Sequence, residues 1–136
     1  IGIDTLETAT SWSNLHNLHQ AVCSALSEAL KAAGLSKEPI VLAHISHSYQ
    51  TGASLYFTYI FPMKVGAELE QWLAIKRAAS NAIRDNGGTI SHHHGVGVDH
   101  REWIEPEKGP LGVEVLRATK KVLDPKGLMN PGKLIP

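Results

Sequence analysis

The stretch ASLYFTYIF, residues 53–61, leaves its backbone few choices. Leu55, Phe57, Tyr59 and Phe61 alternate with Ser54, Tyr56, Thr58 and Ile60, and a period of two is the spacing of a strand with one buried face. Upstream, IVLAHISH (40–47) is short and rich in β-branched residues, and Tyr49-Gln50-Thr51-Gly52 has turn composition. The two runs therefore predict an antiparallel hairpin. Its aromatic face must be buried under another layer, which the rest of the chain has to supply.

Three helical patterns offer that cover. Leu15, Leu18, Val22, Leu26 and Leu30 form one apolar stripe over 13–33, with Ser11 or Ser13 as N-cap and Gly34 as the residue past the C-terminus. After Pro62 a second helix is predicted over 64–86, with Val65, Leu69, Trp72, Ile75, Ala79 and Ile83 inward, and Asn86-Gly87-Gly88 stops it. A third, over 109–123, carries Leu111, Val115, Leu116 and Val122 and ends at Asp124-Pro125. Ile1-Gly2-Ile3 reads as the end of a strand, so a fragment of a longer protein is expected. The order strand, helix, strand, strand, helix predicts an α+β layer with helices on one face of an antiparallel sheet, like part of a ferredoxin-like fold.

Composition excludes several classes. Lys plus Arg and Asp plus Glu balance at 13 each, which leaves no field to hold nucleic acid. The single cysteine, Cys23, allows no internal disulfide and fits a small core residue. No stretch reaches the roughly 18–20 apolar residues of a membrane span, and no leader pattern opens the chain. A cytoplasmic protein, peripheral to a membrane at most, is expected; homodimerisation is left open. Trp12, Trp72 and Trp103 read as packing residues, and His16 and His19 as a surface or half-buried pair.

The chemistry concentrates in SHHHGVGVD (91–99). In an extended segment His92 and His94 share one side and His93 takes the other, so the three cannot converge on one ion, and no metal is expected. Gly95 and Gly97 let the backbone approach a ligand closely. Imidazoles in such a loop suit an anion or a flat ring and move protons near neutral pH. On the hairpin, Tyr56 and Thr58 give a polar face fit to line a pocket. His44 and His47, three apart, should face opposite sides of a regular strand.

Taken together, ISHSYQTGASLYFTYIF, GGTISHHHGVG and VLDPKGLMNPGKLIP resemble the C-terminal portion of FAD-linked oxidases of the vanillyl-alcohol-oxidase type, in the alkyldihydroxyacetonephosphate (alkylglycerone-phosphate) synthase branch. The resemblance covers essentially the whole chain. It implies a cap or substrate domain over 1–88, and an active-site loop, helix and tail over 89–136 that touch an N-terminal FAD-binding domain lying outside this sequence. It further implies FAD as cofactor and an exchange of acyl for alkyl on dihydroxyacetone phosphate through the flavin. Tyr56 would move the proton next to the ketone, and His92, His93 and His94 would hold the phosphate and assist. His44 would meet substrate; Gly95, Gly97, Asn130 and Lys133 would meet the cofactor.

Two other readings stand beside it. The tail is also like that of FAD-dependent 2-hydroxyacid dehydrogenases of the D-lactate or glycolate oxidase type. Those resemble this chain less in the loop, where His93 replaces the glutamate of a metal set and Tyr56 falls near its second histidine. The remaining reading is a non-catalytic α+β module that binds a small ligand.

Overall fold

Strand β3 (Gly52–Phe61) is the centre of a three-stranded antiparallel sheet in the computed structural model, which describes residues 1–34 and 38–136. Strand β2 (Ile40–Ser48) flanks it through the predicted hairpin, and β1 (Gly2–Ser11) flanks it on the other side, in the order β1-β3-β2. The ten-residue β1 pairs along its full length, from Gly2↔Phe61 to Ser11↔Gly52. The strand suggested by Ile1-Gly2-Ile3 thus runs on to Ser11. Its alternation is masked in sequence because Thr5, Glu7, Thr8 and Thr10 dilute the apolar signal.

Leu55, Phe57, Tyr59 and Phe61 all bury on one face, as their spacing predicts. Against them lies α1 (Leu15–Ala32), whose Leu18, Val22, Leu26 and Leu30 are fully buried. Gly34 follows it at φ +96°, the left-handed geometry expected of a residue past a helix end. The serine cap does not form. A 3-10 turn, Trp12–Asn14, precedes the helix, and the Ser11 and Ser13 hydroxyls bond each other at 3.1 Å.

Helix α2 (Glu68–Asp85) adds Ile75, Ala79 and Ile83 to the same core. It begins later than the sequence suggests: Gly66, at φ +82°, interrupts the entry, and Val65 lies outside the helix, exposed. Leu69 is exposed as well. The inward positions go instead to Gln71 and Lys76. Gln71 donates to the carbonyls of Pro62 and Ala33 and accepts from Lys64 N–H. Lys76 donates to Asp4 Oδ2 and to Thr5 O, both at 2.9 Å, while Tyr59 and Trp72 donate to the same carboxylate oxygen. A buried cation is tolerable only with such partners.

Helix α3 (Ile104–Leu123) starts ahead of its predicted limit at 109 and breaks at Gly109 (φ 74°, ψ 164°), ahead of Pro110. Its inward residues are Ile104 and Val113, whereas Leu111, Val115 and Val122 face outward, contrary to the predicted stripe. Of the predicted stripe, Leu116 packs in part against the core. No helix of the described residues is long and apolar enough to cross a membrane. The fold is α+β, with α1 and α2 on one face of the sheet and the other face open.

Candidate active site

Cross-strand register places Glu7, Tyr56 and His44 in one row on the open face, since Tyr56 pairs with Glu7 on β1 and with His44 on β2. The His44 ring stacks on Tyr56 at 5.3 Å between centroids. Further along β2, Ile45 pairs with Leu55 and Ser48 with Ala53, so Ser46 and His47 together oppose Ser54. This is a β-bulge. It breaks the alternation that would put His44 and His47 on opposite sides, and His47 swings to the face that carries Glu7.

The free edge of β1 holds the histidine loop. Thr89 N–H donates to Ala9 O at 3.0 Å and His92 N–H to Glu7 O at 3.1 Å. Thr8 Oγ1 donates to Thr89 O, and Glu107 accepts from Ile90 N–H and Thr89 Oγ1. The loop therefore enters as a short extension of the sheet, and its side chains fall over Glu7.

Glu7 is only 3% exposed. Its Oε1 lies 3.2 Å from His92 Nδ1 and 3.4 Å from His47 Nδ1, and its Oε2 lies 3.3 Å from His94 Nε2. Ser46 Oγ also donates to Oε1, and Ser46 and Ser54 hydroxyls bond each other at 2.6 Å. Burial alone would raise the Glu7 pKa, but hydrogen bonds from Ser46, His92, Ser54 and His47 outweigh it and hold the group at about 2. One buried carboxylate thus organises three imidazoles.

His92 and His94 share a side, as an extended segment predicts, but His93 does not point away. Its φ of +60° is left-handed, which folds its ring back to 4.2 Å from that of His92. There it stacks face to face on His47. Tyr49 Oη sits between the two loop rings, 3.1 Å from His92 Nε2 and 3.3 Å from His93 Nε2. Tyr56 meets the edge of His94 at 5.2 Å, and its hydroxyl has no hydrogen-bond partner among the described residues.

One nitrogen each of His47, His92 and His93 lie within 4.8 Å of one another. Metal ligation by imidazole uses lone pairs in the ring plane. Two rings stacked in parallel, as those of His47 and His93 are, aim those lone pairs alongside each other rather than at a common point.

Beyond the β1 edge, a cleft of about 370 Å³ is lined by Gly95, Gly97, His94, His100, Lys76 and Lys133 among others. His100 is buried with Nδ1 unpartnered, and burial lowers its pKa. The tail reaches this cleft because Leu134 N–H donates to Gly97 O at 2.8 Å and Arg101 to Gly132 O at 3.0 Å. Gly95, Gly97 and Lys133 thus come together. Asn130 lies off to the side, in a second cavity between α3 and the tail that Lys133 also borders.

The chain from residue 1 to 134 matches the family of FAD linked oxidases, C-terminal domain. It belongs to that family. Over 134 residues it is 34% identical to the alkyldihydroxyacetonephosphate synthase of Dictyostelium discoideum, covering 98% of this chain and 22% of that protein. A solved alkyldihydroxyacetonephosphate synthase structure superposes with a TM-score of 0.63 at 28% identity, over 95% of this chain and 20% of that one. Over 52 residues, 38% of the chain and 11% of the relative, it is 42% identical to the D-2-hydroxyglutarate dehydrogenase of Stutzerimonas stutzeri (strain A1501). The chain spans about a fifth of the length of the synthases it matches, so it corresponds to one portion of those proteins.

Sequence reasoning selected His44, Tyr56 and the three loop histidines for this site. It missed Glu7, Ser46, His47 and Tyr49. A glutamate between Leu6 and Thr8 is legible as the outward residue of a half-buried strand only once β1 is known to run through it. His47 and Tyr49 depend on the bulge and the turn, which no periodicity announces.

Proposed function

We propose that the chain forms the substrate-facing part of an FAD-dependent enzyme that exchanges the acyl chain of an acylated dihydroxyacetone phosphate for an alkyl chain. The observation that carries this reading is the gathering of His47, His92 and His94 around the Glu7 carboxylate, with His93 stacked on His47, beside Tyr56 on an open sheet face. Likeness to alkyldihydroxyacetonephosphate synthases over nearly the whole chain supports it.

The residues fit one edge of the cofactor. The cleft offers Lys133, loop glycines whose added Cβ would meet nothing within 4 Å, and the unpartnered His100 nitrogen. Its volume suits part of a dinucleotide, with Gly95, Gly97 and Lys133 lining it and Asn130 supporting the tail. When bound, FAD supplies an electron-accepting ring. This chain's residues handle the phosphate and the protons. As imidazoliums, with a second N–H beyond those turned to Tyr49 and Glu7, His93 and His94 would donate to the anionic headgroup, which needs several donors in one place. Tyr56 exchanges a proton with the carbon beside the ketone, and His44, stacked on it, orients both phenol and substrate.

A second reading, a 2-hydroxyacid dehydrogenase, is favoured by the 42% identity to D-2-hydroxyglutarate dehydrogenase. Anaerobic flavin bleaching in the full-length protein separates the two. Bleaching by acyl-dihydroxyacetone phosphate, lost in Tyr56→Phe and His93→Ala, supports the synthase reading. Reduction by hydroxy acids alone replaces it with the dehydrogenase reading, and a protein without flavin sinks both.

A further inference from the structure

Tyr49 sits at the start of a hydrogen-bonded line that Tyr56 lacks. Glu7 accepts from His92 Nδ1 at 3.2 Å, which fixes the proton on that nitrogen and leaves Nε2 as an acceptor. The Tyr49 hydroxyl, 3.1 Å away, then donates to His92 Nε2 and accepts from His93 Nε2 at 3.3 Å. The direction of every bond follows from one buried carboxylate. The backbone of Tyr49 is also fixed, since its N–H donates to Gly52 O at 2.8 Å and its carbonyl accepts from Trp12 Nε1 at 3.0 Å. Tyr49 nonetheless remains 46% exposed.

We infer that Tyr49 is a second proton-transfer residue, taking the proton of a substrate hydroxyl while His92, positioned by Glu7, takes the proton of the phenol. The inference rests on the reading of this face as a site of FAD-linked chemistry. The hydroxyl is that of the incoming alcohol in a synthase, or the carbinol in a dehydrogenase. In the step, the substrate O–H bond breaks and its electron pair stays on the substrate oxygen. That proton forms a new O–H bond at Tyr49 Oη, and the original phenol proton bonds to His92 Nε2. The imidazolium so formed faces the Glu7 carboxylate, and the reverse transfer returns the proton. A buried acid–imidazole–hydroxyl line is a known means of activating a weak hydroxyl. Here Tyr49 is the catalytic residue, and His92 and Glu7 act through it.

The test uses the full-length flavoprotein with 3-fluorotyrosine placed at position 49. Its fluorine resonance should move in Glu7→Gln and in His92→Asn, because both alter what the phenol bonds. Separately, Tyr49→Phe should slow the step that consumes the alcohol or hydroxy acid by about 10²–10⁴-fold, with flavin content unchanged. A resonance unmoved by either change, or a Tyr49→Phe rate within threefold of wild type, overturns the inference. If wild type is inert toward ketone phosphates, alcohols and hydroxy acids alike, the functional reading fails, and the resonance alone then decides the relay.

Discussion

Glu7 and His92 meet twice: the His92 amide donates to the Glu7 carbonyl at 3.1 Å, and His92 Nδ1 lies 3.2 Å from Glu7 Oε1. Backbone pairing and side-chain pairing thus fix the same ring. Because the Glu7 carboxylate is held at about 2, its contribution is complete above the unfolded value near 4.5 and is lost as pH falls from there toward 2. The stability at stake is about 3 kcal/mol. Denaturant unfolding from pH 6 to pH 2.5 should trace that loss, and Glu7→Gln should flatten it. An equally steep wild-type and Glu7→Gln profile would assign the acid sensitivity elsewhere.

His47 and His93 stack at 4.3 Å with planes 3° apart, although 46 positions separate them in sequence. Since their in-plane lone pairs do not converge, the cluster should keep no stoichiometric zinc. Equilibrium dialysis with zinc, return to metal-free buffer and elemental analysis check this. One zinc per chain, removed by His47→Gln, would mean that the rings turn to meet an ion.

The extent to which this site was legible follows from what holds each piece. Tyr56 and the β3 faces obey a period of two, and Leu18, Val22, Leu26 and Leu30 obey the helical period, so both were readable from spacing alone. The stripe on α3 was not, because Leu111, Val115 and Val122 have a helical spacing and yet face outward. The site fails to show for another reason. His47 is turned inward by one extra residue in β2, and His93 by a left-handed backbone at a position that is not glycine. Local departures of this kind carry no periodic signal, and they occur where side chains converge on Glu7.

Gly88 joins the core to the histidine loop. A Cβ there would stand 2.6 Å from Thr8 Oγ1, 2.9 Å from Leu18 Cδ2 and 3.0 Å from Ile83 Cγ2. Gly88→Ala should cost about 1–3 kcal/mol by overpacking. It should also displace Thr89–His92 from the β1 edge. Thermal unfolding measures the first effect, and amide exchange at His92 the second. An unchanged midpoint would mean that Thr8 and Leu18 move aside freely.

Asp124 ties the tail to its cleft. Its carboxylate accepts from Leu128 N–H and Met129 N–H, both at 2.9 Å, and from Lys120 Nζ at 2.7 Å. Hydrogen bonds from Lys120, foremost, and from the Met129 and Leu128 amides lower its pKa to about 2, against a smaller opposing effect of burial. The ordinary value lies near 3.8, so the anchor is complete above that pH and loosens as pH falls through about 2. Asp124→Ala removes it at every pH. Residues 126–134 should then become quicker targets for limited proteolysis at neutral pH, while the β-sheet stays protected. The Leu134–Gly97 bond would be released with them, opening the cleft on the side that Lys133 lines. A tail that resists proteolysis in Asp124→Ala would shift the anchoring role to Arg101 and Gly132.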